Sequence, residues 1–148
     1  MKPVDGDELL FRCIGAGDVT WDGDEWHLSS QAFNDREMKP SVDRQCLRPD
    51  PHDTKREVTD GVAQLLTADI HANVRLVKNP NAKPPAPIEF YAVDVIPRPI
   101  DEPPNPAHAQ IESAPAIAGG SHFKKLKDAL CRLTERRAWV VMPSKDHL

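Results

Sequence analysis

The polar side chains with the clearest chemical potential lie between Trp26 and Arg44, in the segment WHLSSQAFNDREMKPSVDR. Ser29 and Ser30 offer hydroxyl donors to a ligand. The charged residues that can act with them are Arg36, Arg44, Asp35 and Asp43. Guanidinium groups bind phosphate or carboxylate oxygens in pairs, and a nearby aspartate can orient a group or accept its proton. The segment is therefore a candidate site for an anionic ligand.

The same segment also fits a surface loop that binds nothing. Asn34 and Asp35 can form an Asx turn, and Ser41 can cap a single helical turn over VDRQCL. The aspartates and arginines of the segment would then pair with each other at the surface. Both interpretations fit the sequence.

Outside this segment, Arg12 and His108 have surroundings typical of functional groups. Arg12 lies within the apolar run ELLFRCI, where a guanidinium needs a bound anion or a carboxylate partner. The candidate partners are Asp35, Asp43 and Asp94. His108 lies in NPAHAQI, where prolines fix the backbone and alanines leave the imidazole uncluttered, as proton transfer requires. The structural alternatives are an ion pair for Arg12 and a packing role for His108.

The composition bounds the class of protein. With 148 residues, 39% apolar and 28% charged, the chain is typical of a soluble globular domain. The net charge of −4 argues against a protein that coats nucleic acid. The sequence has no glycine-rich phosphate loop, G-x-S-x-G or H-E-x-x-H motif, and no paired zinc-ligand spacing. We therefore expect neither a metal nor a cofactor.

The cysteines and the first residues bear on location. Cys13, Cys46 and Cys131 are odd in number and widely spaced, which is typical of reduced intracellular thiols. The opening MKPVDGDELL lacks the apolar core of a signal peptide, and no apolar run reaches the length of a membrane span. We expect a cytoplasmic protein that does not associate with membranes.

Two helices are expected to support the candidate residues. The first covers DTKREVTDGVAQLLTADI, where Thr54 and Glu57 match a capping box. The second covers SHFKKLKDALCRLTERR, with Ser121 as its N-cap. The buried stripe of the second helix consists of Phe123, Leu126, Leu130 and Leu133. Both helices are predicted to pack on a sheet.

The strands of that sheet are predicted from short apolar or alternating runs. They are ELLFRCI, HLSSQAF, NVRLVK, IEFYAVDVI, AHAQIES and AWVVMP. Ten of the 15 prolines lie between Pro80 and Pro115, so long ordered loops must separate the later strands. The order of elements predicts a single α+β domain over residues 1–148, with a largely antiparallel sheet, two main helices and proline-rich ordered loops.

Charge is distributed unevenly along the chain. Residues 1–26 carry seven acidic and two basic side chains, whereas residues 121–137 carry six basic and two acidic ones. The two segments can attract each other, or each can face a partner. The candidate partner-binding residues on the second helix are Lys125, Arg132 and Arg136. A protein partner is expected there. Nucleic acid is only weakly supported, because a basic helix face with Trp139 nearby is too thin for a nucleic-acid module.

The candidate residues also carry a resemblance to an uncharacterised family of small bacterial proteins. The shared pattern is the strand arginine Arg12, LSSQAF, PSVDR, NPAHAQI, and a last helix followed by AWVV. It covers most of the chain, although each motif is short. The resemblance implies no particular reaction. It does imply one cleft formed by Arg12, Ser29, Ser30, Ser41, Asp43 and His108.

Two functions from different classes follow. The first is a non-catalytic accessory protein that binds a macromolecular partner or an anionic ligand. The second is a small enzyme acting on a nucleotide or phosphate-containing substrate, either a hydrolase or one similar to ADP-ribosyltransferases. Arg12 with Ser29 and Ser30 resembles that family's arginine and serine positions, although their spacing is shorter. The matching carboxylate would be Glu89 or Glu112.

Overall fold

A five-stranded antiparallel sheet forms the centre of the computed structural model, which describes residues 2–145. Its strands are β1 (Leu9–Ile14), β4 (Ser41–Arg44), β5 (Gly61–Leu66), β6 (Ala92–Pro97) and β7 (His108–Ala114). They lie in the order β5-β1-β4-β7-β6. A separate hairpin is formed by β2 (Val19–Asp22) and β3 (Glu25–Leu28), and the α-helices are α1 (Thr67–Asn73) and α2 (Gly120–Glu135). The predicted α+β class with a single domain is confirmed.

The two faces of β1 have different roles. Leu10 and Ile14 are fully buried in the main hydrophobic core, which also contains Leu126 and Leu130 of α2. Because alternate strand residues point to opposite faces, Phe11 and Cys13 lie on the other side of the sheet. β1 pairs with β5 along its whole length but with β4 at only two positions. The sheet therefore opens between β1 and β4, beside the candidate residues.

Helix α2 matches the predicted apolar stripe. Its four predicted core residues, Phe123, Leu126, Leu130 and Leu133, are all buried. The predicted cap is wrong, because the N-cap residue is Gly119, which has no capping side chain, and Ser121 lies within the first turn. Burial of a continuous stripe, rather than capping, therefore stabilises this helix.

The predicted helix beginning at Thr54 is wrong. Residues Pro51–Asp53 form one turn of 3₁₀ helix, Gly61–Leu66 form β5, and the α-helix covers only Thr67–Asn73. Thr54 does not cap a helix, since its hydroxyl donates to Asp43 at 2.8 Å. Pairing of β5 along the whole of β1 outweighs the local helix signal.

Three predicted strands are shorter than expected or absent. NVRLVK and AWVVMP each contribute one isolated bridge, Val77 to Phe90 and Val141 to Val62. In HLSSQAF the strand ends at Leu28, and the following residues, Ser30–Phe33, form a 3₁₀ turn. The prediction that VDRQCL forms a helical turn is also wrong, because Ser41–Arg44 is β4.

Candidate functional site

A cleft of about 490 Å³ lies where β1, β4 and the start of β7 meet two loops. The first loop contributes Arg48 and residues 53–56, and the second contributes Ile100 and Asn105. Four of the predicted ligand-binding residues line this cleft: Arg12, Ser41, Asp43 and His108. The fold therefore brings together residues that lie up to 96 positions apart in the chain.

Ser29 and Ser30 lie outside the cleft, contrary to expectation. The Ser29 hydroxyl accepts a hydrogen bond from the Gln31 amide at 3.2 Å and caps the 3₁₀ turn that Ser30 begins. These serines are thus part of a capped loop. The side chain of Glu112, one of the two carboxylates considered for a site similar to that of ADP-ribosyltransferases, is paired with Arg98.

Arg12 is held by backbone carbonyls instead of a carboxylate. Its Nη1 donates to Ser41 O at 2.7 Å, Nε to Ala32 O at 3.0 Å and Nη2 to Asn34 O at 3.4 Å. The predicted ion pair is wrong, as Arg12 has no salt bridge within residues 2–145. Burial, with the nearby charge of Arg56, lowers the pKa of the guanidinium, which nevertheless stays charged in a protein. Arg12 thus joins the 3₁₀ turn to β4 and adds positive charge to the cleft.

Asp43 fixes the two loops to the sheet. Its Oδ2 accepts hydrogen bonds from Arg48 Nη1 at 3.1 Å and Thr54 Oγ1 at 2.8 Å, and its Oδ1 accepts one from Asn105 Nδ2 at 2.9 Å. The residue is only 7% exposed. With both oxygens engaged, Asp43 positions the walls of the cleft and is not free to act as a base.

Positive charge dominates the cleft, and sequence reasoning missed most of it. The cationic side chains are Arg12, Arg48, Lys55 and Arg56, and the carboxylates are Asp43 and Asp53. Arg56 is exposed, and its guanidinium has no hydrogen bond or ion pair within the described residues. The basic run KR at positions 55–56 was the available signal, but it lay inside the segment predicted to be a helix. Arg56 is the cation best placed to meet a ligand.

The arginines predicted as anion-binding forks do not line the cleft. Arg44 is only 2% exposed, and its guanidinium donates to both carboxylate oxygens of Glu8. Arg36 is exposed. Asp35 forms a local turn, its Oδ2 accepting hydrogen bonds from the amides of Glu37 and Lys39 at 3.0 Å each. This part of the segment therefore matches the loop interpretation.

His108 and Ser41 contact each other inside the cleft. His108 Nε2 lies 3.0 Å from Ser41 Oγ, and Nδ1 lies 2.7 Å from the carbonyl oxygen of Arg98. Both side chains are partly buried. A hydroxyl in contact with an imidazole, next to several cations, gives the site both a hydrogen-bonding group and a proton acceptor.

The thiol of Cys13, which lines the cleft, is a poor nucleophile. Cys13 Sγ donates to Asp60 Oδ2 at 3.0 Å. Desolvation, together with this contact, raises the pKa of Cys13 to about 11, so little thiolate forms near neutral pH. Within residues 2–145, no group of three or more His, Cys, Asp or Glu side chains is arranged to hold a metal ion.

The predicted partner-binding residues Lys125 and Arg132 on α2, and Arg136 at its C-cap, are exposed. Arg132 Nη2 donates to Glu135 at 3.0 Å and to the carbonyl of Leu28 in the acidic hairpin at 3.3 Å. Helix α2 therefore contacts the β2–β3 hairpin, but among the described residues no ion pair joins the acidic side chains of residues 1–26 to the basic side chains of residues 121–137. A partner surface on this helix stays a prediction.

No family model, curated protein or solved structure matches the chain. Across the described part of the chain, neither helix is long and apolar enough to cross a membrane. The functional interpretation therefore depends on the geometry of the cleft.

Proposed function

We propose that the protein binds a small anionic ligand, carrying phosphate or carboxylate groups, in the cleft between β1, β4 and β7. The observation that carries this proposal is the charge of the cleft lining, which includes four cationic residues and two carboxylates. Asp43 is already engaged by Arg48 and two neutral donors, so its charge is largely offset. The remaining excess of positive charge attracts an anion, although the whole chain has a net charge of −4.

The size of the cleft favours a small molecule. Its volume of about 490 Å³ falls within the roughly 300–1,000 Å³ of small-molecule sites. Arg56 would supply the fork that binds the anion, and Lys55, whose Nζ donates to Val58 O at 3.0 Å, adds a second positive charge. Ser41 Oγ also lines the cleft, where it lies 3.0 Å from His108 Nε2.

An accessory, ligand-binding role in the cytoplasm is part of the same proposal. The three cysteines are unpaired, as reduced intracellular thiols are. In the accessory role, the protein would act on a partner protein, which would bind the surface formed by Lys125, Arg132 and Arg136.

Titration calorimetry with inorganic phosphate and pyrophosphate tests the binding site. Arg56→Ala should weaken pyrophosphate binding roughly tenfold to a hundredfold, because hydrogen bonds to charged groups contribute about 1.5–3 kcal/mol. Arg75→Ala is the matched control, since Arg75 is also exposed and lies outside the cleft. Binding should weaken as salt concentration rises. Equal affinities for the two variants, or no binding by the unaltered protein, would contradict the proposal.

A further inference from the structure

We propose that Ser41 is a nucleophile activated by His108, and that the pair cleaves a phosphodiester held in the cationic cleft. This inference rests on the proposed anion-binding function and adds a reaction to it. The two side chains line the cleft and lie 3.0 Å apart, from Ser41 Oγ to His108 Nε2. A nucleophile within hydrogen-bond reach of a base that is itself oriented by a third group is the arrangement that nucleophilic catalysis requires.

The hydrogen bonds of His108 determine which ring nitrogen can accept a proton. Nδ1 lies 2.7 Å from the carbonyl oxygen of Arg98, which can only accept a hydrogen bond, so Nδ1 carries the hydrogen. In the neutral ring Nε2 then has a free lone pair, and it accepts the hydrogen bond of the Ser41 hydroxyl. The Arg98 carbonyl thus fixes the tautomer and orientation of His108, which is one of the two roles of the carboxylate in a catalytic triad.

The orienting carbonyl is itself held firmly. Arg98 donates two hydrogen bonds to Glu112, from Nε at 2.8 Å and from Nη2 at 3.0 Å. Its backbone amide donates to the carbonyl of His108 at 2.9 Å, so the two residues are joined in both directions. These contacts limit movement of the imidazole and keep Nε2 directed at the hydroxyl.

Ser41 is fixed from the opposite side. It is the first residue of β4 and pairs with Gln110, which brings His108 next to it on the same face of the sheet. Its carbonyl accepts a hydrogen bond from Arg12 Nη1 at 2.7 Å. Asp43, two residues further on the same face, pairs with His108 in the ladder and holds the loop that carries Arg56.

The reaction balances with water as its only co-reactant. Ser41 Oγ attacks phosphorus and gives its proton to His108 Nε2, the oxygen–phosphorus bond forms, and the bond to the leaving alcohol breaks. Nε2 passes this proton to the leaving oxygen, which departs as the alcohol. Water next attacks the phosphoserine, His108 takes its proton, and Ser41 leaves with a proton from Nε2. The products are an alcohol and a phosphate monoester, and the cations of the cleft offset charge on the phosphoryl oxygens.

Bis(4-nitrophenyl) phosphate is a suitable probe, because each cleavage releases coloured 4-nitrophenolate. Ser41→Ala should remove the activity, and His108→Asn should lower it about a hundredfold or more. Asparagine keeps a donor near the Nδ1 position, so the fold can be retained without the base. The controls are Ser121→Ala and His122→Asn, which alter a serine and a histidine outside the cleft. Thermal unfolding of every variant shows whether the fold is retained.

Peptide mass spectrometry supplies a second readout. A 4-nitrophenylphosphoryl group on Ser41, absent from Ser41→Ala and strongly reduced in His108→Asn, supports the proposal. Equal release by the unaltered protein and Ser41→Ala overturns it, as does an adduct on another residue. If the unaltered protein binds pyrophosphate but releases no 4-nitrophenolate, the nucleophile proposal is wrong and the anion-binding function stands. If cleavage at Ser41 occurs without measurable pyrophosphate binding, the binding proposal is the one that fails.

Discussion

At the scale of single residues, Asp43 decides whether the cleft keeps its shape. Its carboxylate is the shared acceptor for Arg48, Thr54 and Asn105, which come from two different loops. Asp43→Asn replaces one acceptor oxygen with a donor and leaves Arg48 without its ion pair. We expect the free energy of unfolding to fall by about 2–3 kcal/mol, the scale of hydrogen bonds to a charged group. Urea denaturation measures this change.

The neighbouring carboxylate provides the control. Asp53 lines the same cleft but is exposed, and its side chain has no hydrogen bond within the described residues. Asp53→Asn should therefore change stability by less than about 0.5 kcal/mol. A similar loss for both variants would mean that Asp43 acts only through the net charge of the cleft.

At the scale of elements, β5 is held by the segment that follows α2. Gly61, the first residue of β5, lies so close to this segment that an added Cβ would be 2.8 Å from Pro143 Cδ and 2.9 Å from Trp139 Cζ3. Gly61→Ala should therefore force the two segments apart and lower the free energy of unfolding by about 1–3 kcal/mol. Thermal or urea unfolding tests this. Gly17→Ala is the matched control, because an added Cβ meets nothing within 4 Å there; an equal loss would show that the close approach is not the cause.

Some helices and strands could be predicted from the sequence, and others could not. β1, β7 and α2 were predicted within two residues at each end, since each has a clear apolar pattern bounded by loop residues. β5 was missed because GVAQLL fits a buried strand as well as a helix face, and a nearby capping box favoured the helix. The pairing of β5 with β1 decides between strand and helix. This pairing joins residues about 50 positions apart, so a local sequence pattern does not reveal it.

The candidate site was also predictable only in part. Four of the six residues that the resemblance placed in one cleft, Arg12, Ser41, Asp43 and His108, line the same cleft, whereas Ser29 and Ser30 lie outside it. Their roles were not predictable, because Arg12 binds carbonyls whose positions depend on the 3₁₀ turn. Arg56 was missed for the same reason, since the position of its loop depends on contacts with Asp43 and Asp60.

At the scale of the whole molecule, one buried ion pair connects the N-terminal segment to the sheet. Arg44 on β4 donates to Glu8 from Nε at 2.9 Å and from Nη2 at 2.6 Å, and it also donates to the carbonyls of Lys2 and Pro3. The side chains of Arg44 and Glu8 are only 3% and 11% exposed. Removing one partner of such a pair leaves the other buried without compensation, which typically costs about 3–5 kcal/mol.

This pair makes the stability of the protein sensitive to acid. Its hydrogen bonds from Arg44 are the main cause of the lowered pKa of Glu8. Because that pKa is lower in the folded than in the unfolded chain, the stabilisation is fully present above the unfolded value of about 4.3. It is lost as the pH falls through the folded value. Glu8→Gln should reduce the free energy of unfolding at pH 7 and flatten its decline in acid, as measured by urea unfolding between about pH 7 and pH 3.

Glu112 also contributes to the acid sensitivity, because hydrogen bonds from Arg98 lower its pKa as those from Arg44 lower the pKa of Glu8. The Glu8→Gln variant should therefore keep part of the acid sensitivity. Glu37→Gln is the control, because Glu37 is exposed and has no ion pair among the described residues. Parallel pH curves for the unaltered protein and Glu8→Gln would contradict the prediction, because they would mean that the pKa of Glu8 is the same in the folded and unfolded chain.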